Sequence, residues 1–457
     1  MTKPCPTRDR LPAPPKAGSP PVKSLDAKLA EIKANPASRT FILADAKDAD
    51  MAFGVRAPGP RHYLSAAGAR RAQFSPEVWT REEFGARNIP EFLDIIREVA
   101  RQELVDILLM SASINERLTI QEGLFRDSPV TPAARANDAT DVWAVRHGSY
   151  LKQPAQPFRS ATIDHIQCGQ VQCDPGDAPF PGANLGLYSV TFVNDLEQDR
   201  ATLTAFKEFR EEAERKGFRY FLEVFDPNVP SGVPADRLGE FINDNIVRSL
   251  AGVTDAGRPL FLKIAYHGPR RMEELAQYDP NLVVGILGGS AGTTLDAFKL
   301  IHDAQKYGAR VALFGRKINH AEHQLAFIEM LRLITDGKIS PEEAVRAYHA
   351  ILERLGIGPR LPLEKDLELT DASMSYGGEP RRTILPSPAS VPPVPARLAQ
   401  RAPVSSAAPA APAPPAEKAG LASELWPRRP DGGPDFDRMT SAQRLSYDRW
   451  RLTRRFG

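Results

Sequence analysis

The stretch 282–316, LVVGILGGSAGTTLDAFKLIHDAQKYGARVALFGR, decides the fold of this chain. It begins with a continuous apolar run at 282–289, continues through an amphipathic segment at 293–308 and ends in a second apolar run at 309–316. Strands that are apolar on both faces are typical of parallel sheets, and a helix commonly connects two parallel strands. The stretch therefore predicts a strand–helix–strand unit.

The same alternation recurs along the chain. Eight apolar runs predict strands at 40–48, 106–113, 130–136, 186–193, 218–225, 259–266, 282–289 and 309–316. Amphipathic segments predict helices at 200–217, 237–252, 293–308, 323–338 and 340–356. Eight such units predict an α/β fold, a closed (β/α)8 TIM barrel within 38–358. The segment 144–183 breaks the alternation, and we interpret it as an inserted hairpin or lid.

The two ends of the chain differ from the middle in composition. We expect residues 1–37, which begin with a Pro- and Lys-rich run, to be a disordered segment, and 359–431 to be a Pro/Ala-rich linker. The final segment, 432–457, is expected to contain a short helix that Thr440 caps, with Gln443 as its capping-box partner. Two interpretations of that segment remain open: it docks a partner protein, or it is a dispensable tail.

The overall composition excludes several classes of protein. The chain of 457 residues carries 59 Lys and Arg against 57 Asp and Glu, so its net charge of +2 favours neither nucleic acid nor a membrane surface as a partner. No apolar run approaches the ~18 residues of a transmembrane helix, and the N-terminus lacks the apolar core of a signal peptide. We therefore expect a cytoplasmic protein. Three cysteines exclude a disulfide scaffold.

Isolated charges interrupt three of the predicted strands. Glu223 lies in FRYFLEVF and Lys263 in PLFLKIAY, and these strands are neighbours, so the two side chains are expected to meet inside the barrel. Asp45 and Lys47 are two residues apart on strand one and therefore share a face. If strand eight closes on strand one, Asp45 lies across the same lumen.

A buried lysine beside a carboxylate indicates carbonyl chemistry. Burial lowers the pKa of an amine and makes it nucleophilic, and a neighbouring carboxylate can transfer the protons that imine formation requires. The alternative is a structural ion pair between Lys263 and Glu223.

Glycine-rich loops follow the last two strands, where such barrels usually bind phosphate. The residues concerned are Gly288, Gly289, Ser290 and Gly292 after strand seven, and Gly315 and Arg316 after strand eight. Glycines let backbone N–H groups approach an anion, and an arginine can clamp it with two hydrogen bonds. A simple turn is the alternative explanation of the glycines.

Three motifs carry a resemblance to class I, Schiff-base aldolases. Lys263-Ile-Ala-Tyr266-His267-Gly268 and Gly315-Arg316-Lys317-Ile318 are similar to the ends of strands six and eight in archaeal-type fructose-bisphosphate aldolases. Phe221-Leu222-Glu223 resembles strand five of tagatose-bisphosphate aldolases, and the wider group includes deoxyribose-phosphate aldolase. Lys317 stands where these aldolases usually have Asn.

The resemblance implies a metal-independent aldolase that acts on a phosphorylated sugar and needs no cofactor. Lys263 would form the Schiff base, Glu223 would transfer protons and Asp45 would lie near the imine. Lys47, Tyr266, Arg316 and the glycines would bind the substrate. By analogy we expect a homo-oligomer. Two other functions remain open: a non-catalytic or regulatory barrel that binds a phosphorylated ligand, and a related carbonyl enzyme that reuses the lysine.

One further cluster, His165, Cys168 and Cys173, occurs in the sequence HIQCGQVQC of the insertion. A zinc site would require a fourth ligand and a tighter spacing. We therefore predict hairpin residues without a metal.

Overall fold

A computed structural model describes residues 22–60 and 86–370, except 36, 175, 177, 290 and 291, and also residues 426, 427, 435, 438–440, 443 and 447. The chain divides into two compact units, residues 1–59 with 92–388 and residues 60–91 with 389–457. In the described part of the chain, every helix is too short or too polar to cross a membrane.

The first unit contains a closed barrel of eight parallel strands, as the sequence predicts. The strands are β1 (Ile42–Lys47), β2 (Ile107–Met110), β3 (Thr131–Arg135), β4 (Leu185–Thr191), β5 (Arg219–Phe225), β6 (Leu262–Ile264), β7 (Gly285–Leu287) and β8 (Val311–Phe314). Each strand pairs with its neighbours in chain order, and β8 closes on β1. The fold is a (β/α)8 TIM barrel, whose functional side chains are typically found at the C-terminal ends of the strands.

Helices connect and surround the strands. They are α1 (Ser24–Ala34), α2 (Ile89–Gln102), α3 (Ala112–Asn115), α4 (Ile163–Cys168), α5 (Leu196–Arg215), α6 (Leu238–Leu250), α7 (Pro269–Tyr278), α8 (Thr294–Lys306), α9 (Arg316–Asn319), α10 (Gln324–Thr335), α11 (Pro341–Arg354) and α12 (Leu363–Asp366). Between Ser340 and Glu343 a reciprocal capping box begins α11, which confirms the predicted helix start.

The N-terminal segment corrects one sequence-based expectation. Within the predicted disordered region 1–37, residues Ser24–Ala34 form α1. Leu25, Leu29 and Ile32 are spaced one helical turn apart and pack with the strand residues that floor the lumen. Removing these three side chains from water stabilises a helix that composition alone did not reveal.

The beginning of the predicted linker is also folded. Residues 359–370 contain α12 and pack against the barrel, and we call them the strap. Asp366 accepts a hydrogen bond from the Thr294 backbone at 2.7 Å and bonds His349 Nε2 at 2.8 Å. The first bond satisfies a backbone N–H at the start of α8 that lacks a partner within its own helix, and the second connects α12 to α11. Residues 359–370 are therefore part of the folded structure.

The insertion is not a simple hairpin. Asp138–Ala139 pairs antiparallel with Pro157–Phe158, so one strand of the pair precedes the predicted boundary at 144. Cys168 ends α4 and forms a disulfide with Cys173. Both thiols of the HIQCGQVQC motif are therefore used in closing a short loop after α4.

In the second unit, the predicted capping box is present. The backbone N–H of Thr440 donates to Gln443 Oε1 at 2.9 Å, and the backbone N–H of Gln443 donates to Thr440 Oγ1 at 3.4 Å. Most of 432–457, and the linker from 371 to 425, lie outside the described residues.

Candidate functional site

Lys263 and Glu223 form an ion pair in the upper half of the barrel. They occupy paired positions on β6 and β5, and Lys263 Nζ lies 2.5 Å from Glu223 Oε1. Their side chains are 8% and 1% exposed. The contact predicted from two isolated charges on neighbouring strands is therefore present.

The side-chain alternation of a strand shows that this pair faces the lumen. Phe221 and Phe261 belong to the apolar floor that α1 closes, and their rings stack at a centroid distance of 4.6 Å. Glu223 and Lys263 each lie two residues further along the same strand. Because side chains two residues apart share a face, both charges project into the lumen above this floor.

Two more polar side chains contact Glu223, and a third contacts one of these two. Ser189 Oγ donates to Glu223 Oε2 at 2.8 Å, and Arg135 Nη2 lies 3.5 Å from the same oxygen. Arg135 also donates from Nε to Asp48 Oδ2 at 2.6 Å. We call Asp48, Arg135, Ser189, Glu223 and Lys263 the lumen cluster.

The lumen cluster alternates in charge. Each cation lies beside a carboxylate along the spatial series Lys263, Glu223, Arg135 and Asp48. The cost of burying each charge is therefore offset by its neighbours. The two carboxylates, Asp48 first, raise the pKa of Arg135 against its desolvation. Arg135 was not among the predicted site residues, although it is an isolated charge near the end of the third predicted strand, 130–136. The rule that singled out Lys263 applies to it equally.

Asp45 and Lys47 share a face, as predicted, but that face is not the lumen. Lys47 Nζ lies 2.9 Å from Asp45 Oδ2 and donates to Gln324 Oε1 at 2.9 Å. Gln324 begins α10 in the outer helical layer, whereas Ala44 and Ala46 of β1 belong to the cluster that floors the lumen.

The strand-one carboxylate nearest Glu223 and its partners is therefore Asp48, and the placement of Asp45 across the lumen was wrong. Both side chains of the Asp45–Lys47 pair are fully buried. Desolvation raises the pKa of Asp45 against the opposing charge of Lys47.

The glycines after β7 have packing explanations. A Cβ on Gly288 would lie 2.2 Å from the ring of Phe314, and one on Gly292 would lie 2.0 Å from Asp296 Oδ2. Gly289 has a φ of +40°, which favours glycine. Ser290 lies outside the described residues. Packing and backbone conformation thus account for these glycines without a ligand.

After β8, Gly315 lies against β1, and the two following residues behave differently from each other. A Cβ on Gly315 would lie 3.1 Å from Ala46 Cβ. Arg316 has a buried Nη1 with no hydrogen-bond partner in the described chain, and burial lowers its pKa to about 10 against the charge of Glu223. Lys317 Nζ instead donates to the carbonyls of Gly292 and Thr293 at 2.8 Å each. Arg316 therefore retains a hydrogen-bond donor for an anion, whereas Lys317 is used in holding the loop after β7.

Tyr266 and His267 lie just beyond β6. Tyr266 is 5% exposed. His267 is also buried, and its Nε2 lies 2.8 Å from Asp226 Oδ1. His267 therefore connects the end of β6 to the end of β5.

Asp50 is a half-buried acid near the mouth that the sequence pattern did not single out. Ser111 Oγ donates to Asp50 Oδ2 at 2.6 Å, and desolvation raises the pKa of Asp50 to about 6. Its position after β1 placed it in a predicted loop, where an aspartate is ordinary. Only the fold shows that the chain partly buries it.

Among the described residues, no group of three or more His, Cys, Asp or Glu side chains could hold a metal ion. A surface cavity of about 350 Å³ lies beside α1 and α10, and another of about 650 Å³ lies beside the start of α5. Neither is lined by residues of the lumen cluster.

The sequence matches no established family model and no curated protein sequence. Solved structures that resemble the chain include an archaeal fructose 1,6-bisphosphate aldolase, with a TM-score of 0.45 and 14% identity over 68% of this chain and 99% of that one. A Schiff-base-forming fructose-1,6-bisphosphate aldolase has a TM-score of 0.45 and 15% identity over 67% and 99%. N-acetylneuraminate lyase from Fusobacterium nucleatum has a TM-score of 0.35 and 12% identity over 70% and 83%. At these identities the likeness concerns the barrel fold alone.

Proposed function

We propose that this protein is a class I aldolase that cleaves or forms a carbon–carbon bond in a phosphorylated sugar through a Schiff base on Lys263. The observation that carries the proposal is the contact between Lys263 Nζ and Glu223 Oε1, 2.5 Å apart in the buried lumen. A lysine in such a setting is a recognised nucleophile toward carbonyl groups when a neighbouring base accepts its proton.

Glu223 is placed to move the protons of imine formation. It accepts a proton from the Lys263 ammonium, and the free amine then attacks the substrate carbonyl. The protonated Glu223 returns that proton to the carbinolamine hydroxyl, which leaves as water. Ser189 and Arg135, both on Glu223 Oε2, keep Oε1 directed toward Lys263.

Arg316 is the phosphate-binding residue of this proposal. Its unpaired Nη1 supplies a charged donor at the C-terminal end of β8, and Glu223 contributes to its electrostatic environment. An arginine binds phosphate through its planar array of donors. The glycines beside it are assigned to packing and to shaping the loop, rather than to direct phosphate contact.

Borohydride trapping tests the proposal. The folded protein is incubated separately with dihydroxyacetone phosphate, fructose bisphosphate and deoxyribose phosphate, reduced, digested and analysed by mass spectrometry. We expect an adduct on Lys263 that Lys263→Met abolishes. Lys299→Met is the matched control, since Lys299 is an ion-paired lysine on α8 and outside the lumen. No adduct from any of the three compounds in folded protein would overturn the proposal.

A second candidate function is a non-catalytic barrel that binds a phosphorylated ligand. The observation that favours it is the complete pairing of charges in the lumen cluster, which a structural network also explains. In that case inorganic phosphate would bind in an Arg316-dependent manner while Lys263 formed no adduct.

A further inference from the structure

A second carboxyl group, Asp141, is held at the mouth of the barrel beside β4. The chain that leaves β3 runs along β4, where Asn137 exchanges two hydrogen bonds with the backbone of Ser189, at 2.7 and 2.8 Å. Two residues further along β4, Thr191 Oγ1 donates to Asp141 Oδ2 at 2.6 Å. These bonds fix Asp141 to the C-terminal end of the strand.

Strand register places the hydrogen-bond partner of Asp141, Thr191, one layer above the layer that contains Lys263. Ser189 is paired with Glu223, which is paired with Lys263, so these three residues form one layer of the lumen. Thr191 lies two residues beyond Ser189 on the same face, which moves its side chain about 6.6 Å toward the mouth. A substrate joined to Lys263 extends in that direction, because the lumen floor below is filled by apolar side chains.

Asp141 has an unused oxygen in this position. The residue is fully buried, and its Oδ1 accepts no hydrogen bond from another residue of the described chain. A buried carboxylate oxygen without a partner is uncommon, since leaving it unsatisfied is energetically costly. A substrate hydroxyl would supply the missing donor.

We propose that Asp141 is a catalytic residue that transfers the proton of carbon–carbon cleavage, a role that rests on the proposed aldolase function. Asp141 Oδ1 removes the proton from the hydroxyl group on the carbon beyond the bond that breaks. The electrons of the O–H bond form the carbonyl of the departing aldehyde, and those of the carbon–carbon bond form the enamine on Lys263. Asp141 then returns the proton to the enamine carbon, which restores the imine.

The electrostatic surroundings suit this task. Desolvation raises the pKa of Asp141 to about 6. The hydrogen bond from Thr191 and the residue's own backbone N–H oppose that rise, Glu223 on β5 adds to it and Arg135 on β3 opposes it. A carboxyl group that titrates near the working pH both accepts and donates protons efficiently. Glu223 acts in the layer of the lysine, and Asp141 acts one layer higher.

Hydrogen exchange at carbon separates this role from imine formation. Wild type, Asp141→Asn and the remote buried-carboxylate control Asp303→Asn are incubated with dihydroxyacetone phosphate in D₂O. Mass spectrometry follows deuterium incorporation, and borohydride trapping is measured in parallel. We expect Asp141→Asn to retain trapping on Lys263 within about threefold and to lose about 100-fold or more in exchange. Asp303→Asn should match wild type in both measurements.

A second variant tests the assignment without removing the carboxyl group. Thr191→Val deletes the hydrogen bond that opposes the raised pKa, so the acid limb of the exchange rate should move to higher pH. Unchanged exchange in Asp141→Asn, or an acid limb that Thr191→Val leaves in place, would overturn the role of Asp141 while the imine remained. Absence of an adduct from dihydroxyacetone phosphate, fructose bisphosphate and deoxyribose phosphate alike in wild type would instead overturn the aldolase function, and the role of Asp141 with it.

Discussion

Arg135 connects Glu223 to Asp48: its Nη2 lies 3.5 Å from Glu223 Oε2, and its Nε donates to Asp48 Oδ2 at 2.6 Å. Arg135 thereby holds one oxygen of Glu223 and leaves the other to Lys263. The reactivity proposed for Lys263 depends on this division of the carboxylate, and the first prediction follows from it.

Replacing Glu223 by Gln should slow imine formation by about 10²–10⁴-fold, because the amide cannot accept the proton of the Lys263 ammonium. Rapid-quench borohydride trapping measures the rate. Glu240→Gln is the control, since Glu240 lies on α6 in a partly exposed ion pair with Arg237. Equal trapping rates in wild type and Glu223→Gln would show that Glu223 is only a structural partner.

Lys47→Met should destabilise the fold by about 3–5 kcal/mol, because it leaves the carboxylate of Asp45 buried without its partner. The pKa of Asp45 is already raised by burial, and loss of the opposing charge raises it further. The folded state then binds a proton more tightly than the unfolded state. Acidification should therefore reduce the loss of stability that Lys47→Met causes.

Urea unfolding at several pH values measures this effect. Asp45→Asn combined with Lys47→Met should recover part of the stability, since it removes the uncompensated charge. Trapping on Lys263 per folded molecule should persist in Lys47→Met. Loss of trapping in fully folded Lys47→Met would return this pair to the reacting site.

Asp141→Asn should change the pH dependence of stability. The pKa of Asp141 is about 6 in the folded protein against about 3.9 in an unfolded chain, so the folded state binds the extra proton between these values. Wild type therefore loses stability as pH rises through 6, and the variant lacks this loss. We expect the variant's stability relative to wild type to improve by about 2 kcal/mol between pH 4.5 and pH 8. A relative stability that is constant with pH would contradict the raised pKa.

Arg316→Met should weaken binding of inorganic phosphate by about 10–100-fold, because one charged, hydrogen-bonding donor is lost. Isothermal titration measures the affinity. Arg248→Met is the control, since Arg248 is exposed on α6. If both variants bind phosphate as wild type does, Arg316 is not the phosphate residue.

Asp366→Ala should destabilise the protein by about 1–2 kcal/mol, because it leaves the N–H of Thr294 and the ring of His349 without their partner. Glu364→Ala changes an exposed residue of the same short helix and should have little effect. Thermal unfolding of the two variants compares them directly. Equal melting temperatures would mean that the strap contributes nothing to stability.

The sequence by itself determined the architecture and the central pair. Continuous apolar runs separated by amphipathic segments specified eight parallel strands in chain order. Because β5 and β6 are neighbours in the chain order of the barrel, the sequence also predicted the contact between Glu223 and Lys263, and their paired register confirms it. Local spacing was also sufficient to predict the Thr440–Gln443 capping box and the shared face of Asp45 and Lys47.

Only the tertiary structure decided which face of each strand points into the lumen. A barrel strand is buried on both sides, by the lumen and by the outer helices, so apolar alternation does not distinguish the two faces. Because of that ambiguity, the sequence-based prediction placed Asp45 in the lumen, whereas the carboxylate found there is Asp48. Arg135 reaches Glu223 because of the register of the strands, and Asp141 is held at β4 by its hydrogen bond with Thr191. Both placements depend on contacts between residues far apart along the chain. The folding of α1 and the strap likewise depends on apolar and hydrogen-bonding partners that lie far away along the chain.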